Sequence, residues 1–331
     1  MSKREVNIIA DIGGTNMRVA QTDEHGNISN IAIYACAEHA SLAEILANFI
    51  ELHDLNGHNI NACLAIASPV DTDLIAMTNL PWKFSQQKLK QELQLQQLVL
   101  INDFTAIAHS VPLLSADQKV QIGTGHVIAN KPISICGPGT GLGVANLIAL
   151  DDGWLALSGE GGHTDFAPID QQEIAILNFL KTKYQRVSYE QLLSGLGLEQ
   201  IYQALSIINQ GNELSLPAKN ITEQALNNNC DLCVETLAQF CRVLGSFAGN
   251  LALTIGSSGG VYIAGGIVPR FIEFINNSDF RARFEAKGRL SRLNQSIATF
   301  VVTEEQPGLI GAAAYLKQLT SVKFTDSITE Y

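Results

Sequence analysis

The sequence predicts an α/β chain of two lobes, and three observations carry that prediction. Its 331 residues, 46% hydrophobic and 16% charged, suffice for about two domains of ordinary size. Two segments, near residues 6–34 and 133–157, share one plan: apolar strand, glycine turn, returning strand, second turn, third strand. Helical stretches and further apolar strands follow each of these β-meanders.

In the first block, Val6–Ala10 is an apolar run, Gly13-Gly14 turns, and Met17–Thr22 returns. His25-Gly26-Asn27 turns again before Ile28–Tyr34. Ser41 and Glu44 have capping-box spacing and open an amphipathic helix to about Asp54. Asn61–Ala67 and Leu98–Ile101 read as buried strands, with a Gln/Lys-rich helix of about Ser85–Leu95 between them. Asp103–Val111 is predicted helical, closed by Pro112.

The second block repeats the opening. Ile133–Cys136 is a strand, Gly137–Gly143 a glycine turn, Val144–Leu150 the return, and Trp154–Leu157 a third strand after Asp152-Gly153. Helices are expected at roughly 171–183, 189–194, 198–209 and 231–255. Val261–Ala264 is a strand ending in Gly265-Gly266, and a Gly/Ala-rich helix of about Leu309–Gln318 follows. Segments 210–229 and 320–331 are polar and predict no element.

Several function classes fall away at this stage. A dinucleotide fold or a P-loop sets a helix directly after its glycine turn, whereas here the chain turns back as a strand both times. With 32 acidic against 21 basic residues the net charge is −11, which repels nucleic acid and anionic membranes. The apolar run after Arg4 is cut short by Asp11, too early for a signal peptide, so a cytoplasmic location is expected. Residues 243–269 carry no charge but are broken by glycines, unlike a spanning helix. Cys230 and Cys233 form a C-x-x-C pair with no second pair or nearby histidine, so neither structural zinc nor a disulfide is expected.

Six places carry residues to weigh for chemistry. In Asp11-Ile-Gly-Gly-Thr-Asn16 the glycines let backbone amides approach phosphate oxygens, Thr15 and Asn16 add donors, and Asp11 suits water-mediated magnesium. A plain hairpin would also favour Gly13-Gly14. Gly137, Gly139, Gly141 and Gly143 with Thr140 are denser than a structural turn needs, and the pair of turns suggests a nucleotide phosphate chain held from both sides. Gly265-Gly266 admits either an adenosine lying against backbone or a simple strand-to-helix turn.

Asn102 and Asp103 stand where a strand passes into a helix, a favoured capping position. The alternative role for Asp103 is a base toward an attacking hydroxyl. Ionisation favoured by the helix N-terminus is compatible with that role, because phosphoryl transfer asks mainly for orientation. Glu160 and His163 share a glycine-rich turn and can hydrogen-bond vicinal sugar hydroxyls. Glu190, at a predicted helix start, is by itself a dipole-favoured surface acid.

Together Asp11-x-Gly-Gly-Thr, Ile-Asn102-Asp103, Gly-x-Gly-Thr140-Gly, Glu160-Gly-Gly-His163 and Ala264-Gly-Gly resemble the bacterial glucokinases. That family lies within the actin-like, ribonuclease H-like ATPase superfamily that includes hexokinases. The likeness runs from about residue 6 to 317, and also covers Ala76–Leu80 and Pro307–Gly311. It implies a two-lobed α/β fold with a central cleft. The small domain would comprise residues 1–110 plus about 307–331, the large one 111–306. It further implies ATP-Mg²⁺ gripped by Ala10, Asp11, Ile12, Gly13, Gly14 and Thr15 on one side and by Gly137, Gly139, Thr140 and Gly141 on the other, with adenosine near Gly265. Asp103 would be the base for the 6-hydroxyl of glucose, Asn102 would orient the sugar, and Glu160, His163 and Glu190 would bind its other hydroxyls. The products would be glucose 6-phosphate and ADP, and members are commonly homodimers.

One departure separates this chain from the sugar kinases related to repressors, which carry C-x-C-G-x-x-G-C after the Glu/His motif. Here His163 is followed by Thr-Asp-Phe-Ala-Pro168, which removes the zinc ligands. Kinases for mannose, fructose or an N-acetylhexosamine, and a sugar sensor or nucleotide-driven scaffold without turnover, remain alternative readings of the motifs.

Overall fold

The computed structural model describes residues 3–321. The chain divides into two compact units, Met1–Leu114 with Glu305–Tyr331, and Ser115–Glu304. Residues 322–331, which the resemblance assigns to the small domain, lie outside the described residues.

The first unit runs β1 (Glu5–Ile12), β2 (Asn16–Thr22), β3 (Ile28–Ala35), α1 (Leu42–Leu52), β4 (Asn59–Ile66), β5 (Leu74–Ala76), β6 (Lys83–Ser85), α2 (Gln86–Glu92), β7 (Gln97–Asn102) and α3 (Asp103–Ser110). Its main sheet has the order β3-β2-β1-β4-β7, antiparallel through the meander and parallel from β1 to β7. The period-two alternation of β1 explains why it takes the centre. Ile8, Ala10 and Ile12 enter a core with α1, while Ile9 faces the opposite side with Cys63, Ala65 and Ala106.

The second unit contains β8 (Lys119–Gln121), β9 (Ile133–Pro138), β10 (Leu142–Leu150), β11 (Gly153–Gly159), α4 (Gln171–Lys181), α5 (Gly195–Gln210), α6 (Ala218–Leu226) and α7 (Asp231–Ile255). It continues through β12 (Val261–Ile263), α8 (Ile272–Asn277), α9 (Phe280–Glu285), α10 (Ser291–Ser296) and β13 (Thr299–Val302). Its sheet order, β11-β10-β9-β12-β13-β8, repeats the first sheet with one strand added. The core packs α4, α5, α6 and α7 against β9, β10 and β12. The chain then returns to the first unit as α11 (Pro307–Ser321), whose Leu309, Ala312, Ala313 and Leu316 cover the Ile9 side of that sheet.

Both predicted meanders are present, and the helix expected at 231–255 is α7. Several expectations need correction. The glycine turn expected over Gly137–Gly143 is shorter, because Gly137 and Gly143 pair across β9 and β10 and leave only residues 139–141 in the bend. The helix expected at 189–194 is a single 3₁₀ turn, Tyr189–Gln191; Ser194 then caps a fresh helix by accepting the Gly197 amide. The featureless stretch 210–229 holds α6, whose buried stripe is only Ile221 and Ala225. At Ser41 the cap forms as expected, but Glu44 reaches Ala40 and His39 instead of completing the box. β5, β6, β8 and β13 are three or four residues long and too brief for periodicity to signal.

Candidate functional site

The predicted residues fall into two groups, one on each unit. In the first unit, parallel pairing aligns Ile12 with Ile66 and Ile66 with Asn102, so β1, β4 and β7 end at one edge. Asp11, the next-to-last residue of β1, and Asp103, just past β7, therefore sit at the carboxyl ends of parallel strands, about 10 Å apart laterally at two strand spacings. Gly13 N–H donates to the Asn16 carbonyl at 3.0 Å and closes the hairpin, leaving Gly14 and Thr15 at the surface. Ala10 and Ile12 direct their side chains into the core, so only their backbone is on offer to a ligand.

Asp11 faces Arg18 across the ladder, with Nη1 3.8 Å from Oδ2. Burial raises the Asp11 carboxyl above the usual carboxylate range, and the Arg18 guanidinium opposes that shift. At the end of β7, Asn102 caps α3. Its Oδ1 accepts the amides of Phe104 at 2.9 Å and Thr105 at 3.4 Å. The cap uses the carbonyl end of the Asn102 side chain, so its remaining capacity is that of an amide donor. Asp103 Oδ1 accepts the Phe104 amide at 2.9 Å, which fixes the carboxylate at the helix start.

In the second unit the bend between β9 and β10 is closed by Gly139 N–H donating to the Gly141 carbonyl at 2.8 Å. Gly195, the first residue of α5, donates its amide to the Gly139 carbonyl at 2.9 Å and ties that helix to the bend. Gly265 follows β12 with φ +84°, and a Cβ there would stand 2.5 Å from the Pro138 carbonyl oxygen. Only glycine combines that backbone with that approach. Beside it lies a cavity of ≈ 660 Å³ lined by Gly139, Thr140, Gly195, Ala218, Gly266 and Arg270 among others.

Glu160 precedes a 3₁₀ turn, Gly161–His163, and His163 ends it, both at the surface. Two backbone bonds, Phe166 to Val187 and Tyr189 to Thr164, clip the segment after His163 to the one before Glu190. Arg186 adds a bond from Nη2 to the His163 carbonyl at 2.6 Å. His163 Nε2 thereby comes within 3.7 Å of Glu190 Oε1. Behind them, Tyr189 accepts a bond from Asn250 Nδ2 at 3.3 Å, and Lys287 donates to Asn250 Oδ1 at 2.8 Å. Burial, with Arg283 nearby, lowers the Lys287 pKa to about 8.

The sequence thus names residues that the fold gathers as Asp11, Gly13–Thr15, Asn102 and Asp103 on one unit, and Gly139–Gly141, Glu160, His163 and Glu190 on the other. It missed the wall of the cavity supplied by α6 and by Arg270, since nothing in 210–229 signalled a helix.

Paired glycine bends after central strands, on two sheets of matching order, place the fold in the actin-like ATPase class, to which sugar kinases belong. Among solved structures, a glucokinase from an Antarctic psychrotroph superposes with TM-score 0.86 at 36% identity, over 95% of this chain and 99% of its own. A Streptomyces griseus glucokinase of the ROK family, solved in complex with glucose and AMPPNP, shares the fold at TM-score 0.62 and 20% identity, over 95% and 99% of the two chains. The glucokinase of Colwellia psychrerythraea is 58% identical over 95% of this chain and 97% of its own length. A sequence model of the glucokinase family matches residues 8–319. The chain belongs to the glucokinase family, and it is an ATP-dependent hexose kinase.

Proposed function

We propose that Asp103 accepts the proton of the glucose 6-hydroxyl as that oxygen attacks the γ-phosphorus of ATP. The products are glucose 6-phosphate and ADP. Support for this base comes from the Phe104 amide, which holds the Asp103 carboxylate at the carboxyl end of β7. Asn102 orients the sugar with its amide donor, while Glu160, His163 and Glu190 bind the remaining hydroxyls. The amides of Gly14, Thr15, Thr140 and Gly141 hold the phosphates, on bends that the Gly13 and Gly139 amides close from within, and adenosine occupies the cavity beside Gly266.

Magnesium fits this arrangement as a companion of the nucleotide. Among the described residues no three His, Cys, Asp or Glu side chains are grouped to hold a metal. A single carboxylate, Asp11, suits an ion that keeps most of its waters and takes its other ligands from phosphate. When bound, the ion neutralises charge on the transferring phosphoryl group. Asp11 would hold one of its waters.

Among the described residues no helix is long and apolar enough to cross a membrane. We assign the enzyme to the cytoplasm and to a homodimer on family resemblance. The observation that carries the residue assignment is the common carboxyl edge of β1, β4 and β7, where Asp11 and Asp103 stand two strands apart. A panel of hexoses with purified enzyme, ATP and Mg²⁺ tests it, read as sugar-dependent ADP release. Glucose should give the highest kcat/KM, and a preference for mannose, fructose or an N-acetylhexosamine would overturn the substrate assignment.

A further inference from the structure

Among the described residues, Glu190 belongs to the sugar group and also touches the glycine bend. Its Oε2 accepts the Leu142 amide at 2.9 Å, directly after Gly139–Gly141. Its Oε1 faces His163 Nε2 at 3.7 Å. Gly141 leaves room for this contact, since a Cβ there would lie 2.6 Å from Glu190 Oε2. Gly141 is not in the left-handed region, so a side chain there would meet the Glu190 carboxylate and displace it without straining the backbone.

We infer that Glu190 is a positioning residue for the phosphate-binding bend, and that through it the sugar and the nucleotide bind cooperatively. This rests on the reading above, in which Glu190 also accepts a sugar hydroxyl. The physical reason is competition for one side chain. The Glu190 side chain is 31% exposed, so water and alternative rotamers compete with its bond to Leu142. A sugar hydroxyl on Oε1 fixes that rotamer, and the second oxygen then holds the Leu142 amide in place. The bend is ordered before the phosphates arrive, and the nucleotide meets a smaller ordering cost. Linkage requires the reverse effect to be equal: bound nucleotide tightens sugar by the same factor.

The test is calorimetric titration of the full chain with Mg²⁺-AMPPNP, with and without saturating glucose, and of glucose alone. Wild-type enzyme should bind the analogue at least about fivefold more tightly with glucose present. Glu190→Ala should bind it about tenfold more weakly without any sugar, equivalent to about 1.4 kcal/mol, and should lose most of the glucose effect. Glu190→Gln keeps a carbonyl for the Leu142 amide and should stay within about threefold of wild type for the analogue. Gly141→Ala attacks the contact from the other side and should reproduce the Glu190→Ala loss. Thermal unfolding of each variant checks the fold.

Unchanged analogue binding by Glu190→Ala in the absence of sugar would overturn the inference, whatever happens to glucose. Weakened analogue binding with unchanged glucose affinity would also overturn it, and would show that the sugar-binding assignment of Glu190 is the part that failed.

Discussion

The Asp11 carboxyl lies against Gly308, the second residue of α11. A Cβ at position 308 would stand 2.7 Å from Asp11 Cγ and 2.8 Å from Oδ2. A half-buried carboxylate beside a helix N-terminus gains from the dipole there, and the missing side chain permits the approach. Gly308→Ala is expected to displace the carboxyl. Steady-state kinetics should show kcat falling about tenfold, or about 1.4 kcal/mol of barrier, with the KM for glucose within about twofold. Unchanged turnover would show that the Asp11 position is not needed.

Asp11 should also trade stability for function. Its folded pKa is raised by burial, so the fold favours the neutral acid. That preference stabilises only at acid pH and is lost as pH rises through the folded value, leaving the charged form penalised at pH 7. Asp11→Asn removes the charge, and should raise Tm by roughly 1–3 °C while reducing Mg²⁺-ATP-supported turnover. Differential scanning calorimetry at pH 7 checks the sign, and a lower Tm would show that the Arg18 pair outweighs burial.

Asp103→Asn keeps an acceptor for the Phe104 amide but removes the base. A positioned general base contributes about 10²–10⁴ in rate, so kcat should fall by that range while nucleotide affinity is unchanged. Pre-steady-state phosphoryl transfer is the measurement. A variant within tenfold of wild type would remove Asp103 from the base role.

His109, on α3, is buried with Nε2 unpartnered among the described residues and its ring edge-on to Tyr315 at 5.0 Å. Burial lowers its pKa to about 4 from an ordinary 6.5. Between those values the unfolded chain binds the extra proton, so stability rises with pH across the window. Urea denaturation should give about 2 kcal/mol less stability at pH 5 than at pH 7 from this residue. His109→Phe should flatten that difference, and an unchanged pH slope would exclude His109 as its source.

Much of this was legible from residues alone, for reasons that differ by element. β1 and β9 announce themselves because the middle of a strand buried on both faces is apolar, as Ile8–Ala10 and Ile135-Cys136 are. α7 is legible because twenty-five residues give periodicity room to show. Asp103 is legible as a strand-to-helix residue, since capping chemistry is local. The contact of Glu190 with Leu142 is not, because forty-eight residues separate them and only the fold brings them together. Nor is α6, whose polar sequence offers a two-residue stripe and whose place is set by α5 and α7. The partnership of Gly308 with Asp11 joins the two ends of the first unit, beyond the reach of any local pattern.

α11 gives the route of synthesis an unusual order. Ile9, Cys63, Ala65 and Ala106 emerge from the ribosome early, but the helix that shields them follows the whole of Ser115–Glu304. The first lobe to be translated is therefore the last to be finished. Until α11 is made, the apolar face of Ile9, Cys63 and Ala65 lacks the cover of Leu309, Ala312, Ala313 and Leu316.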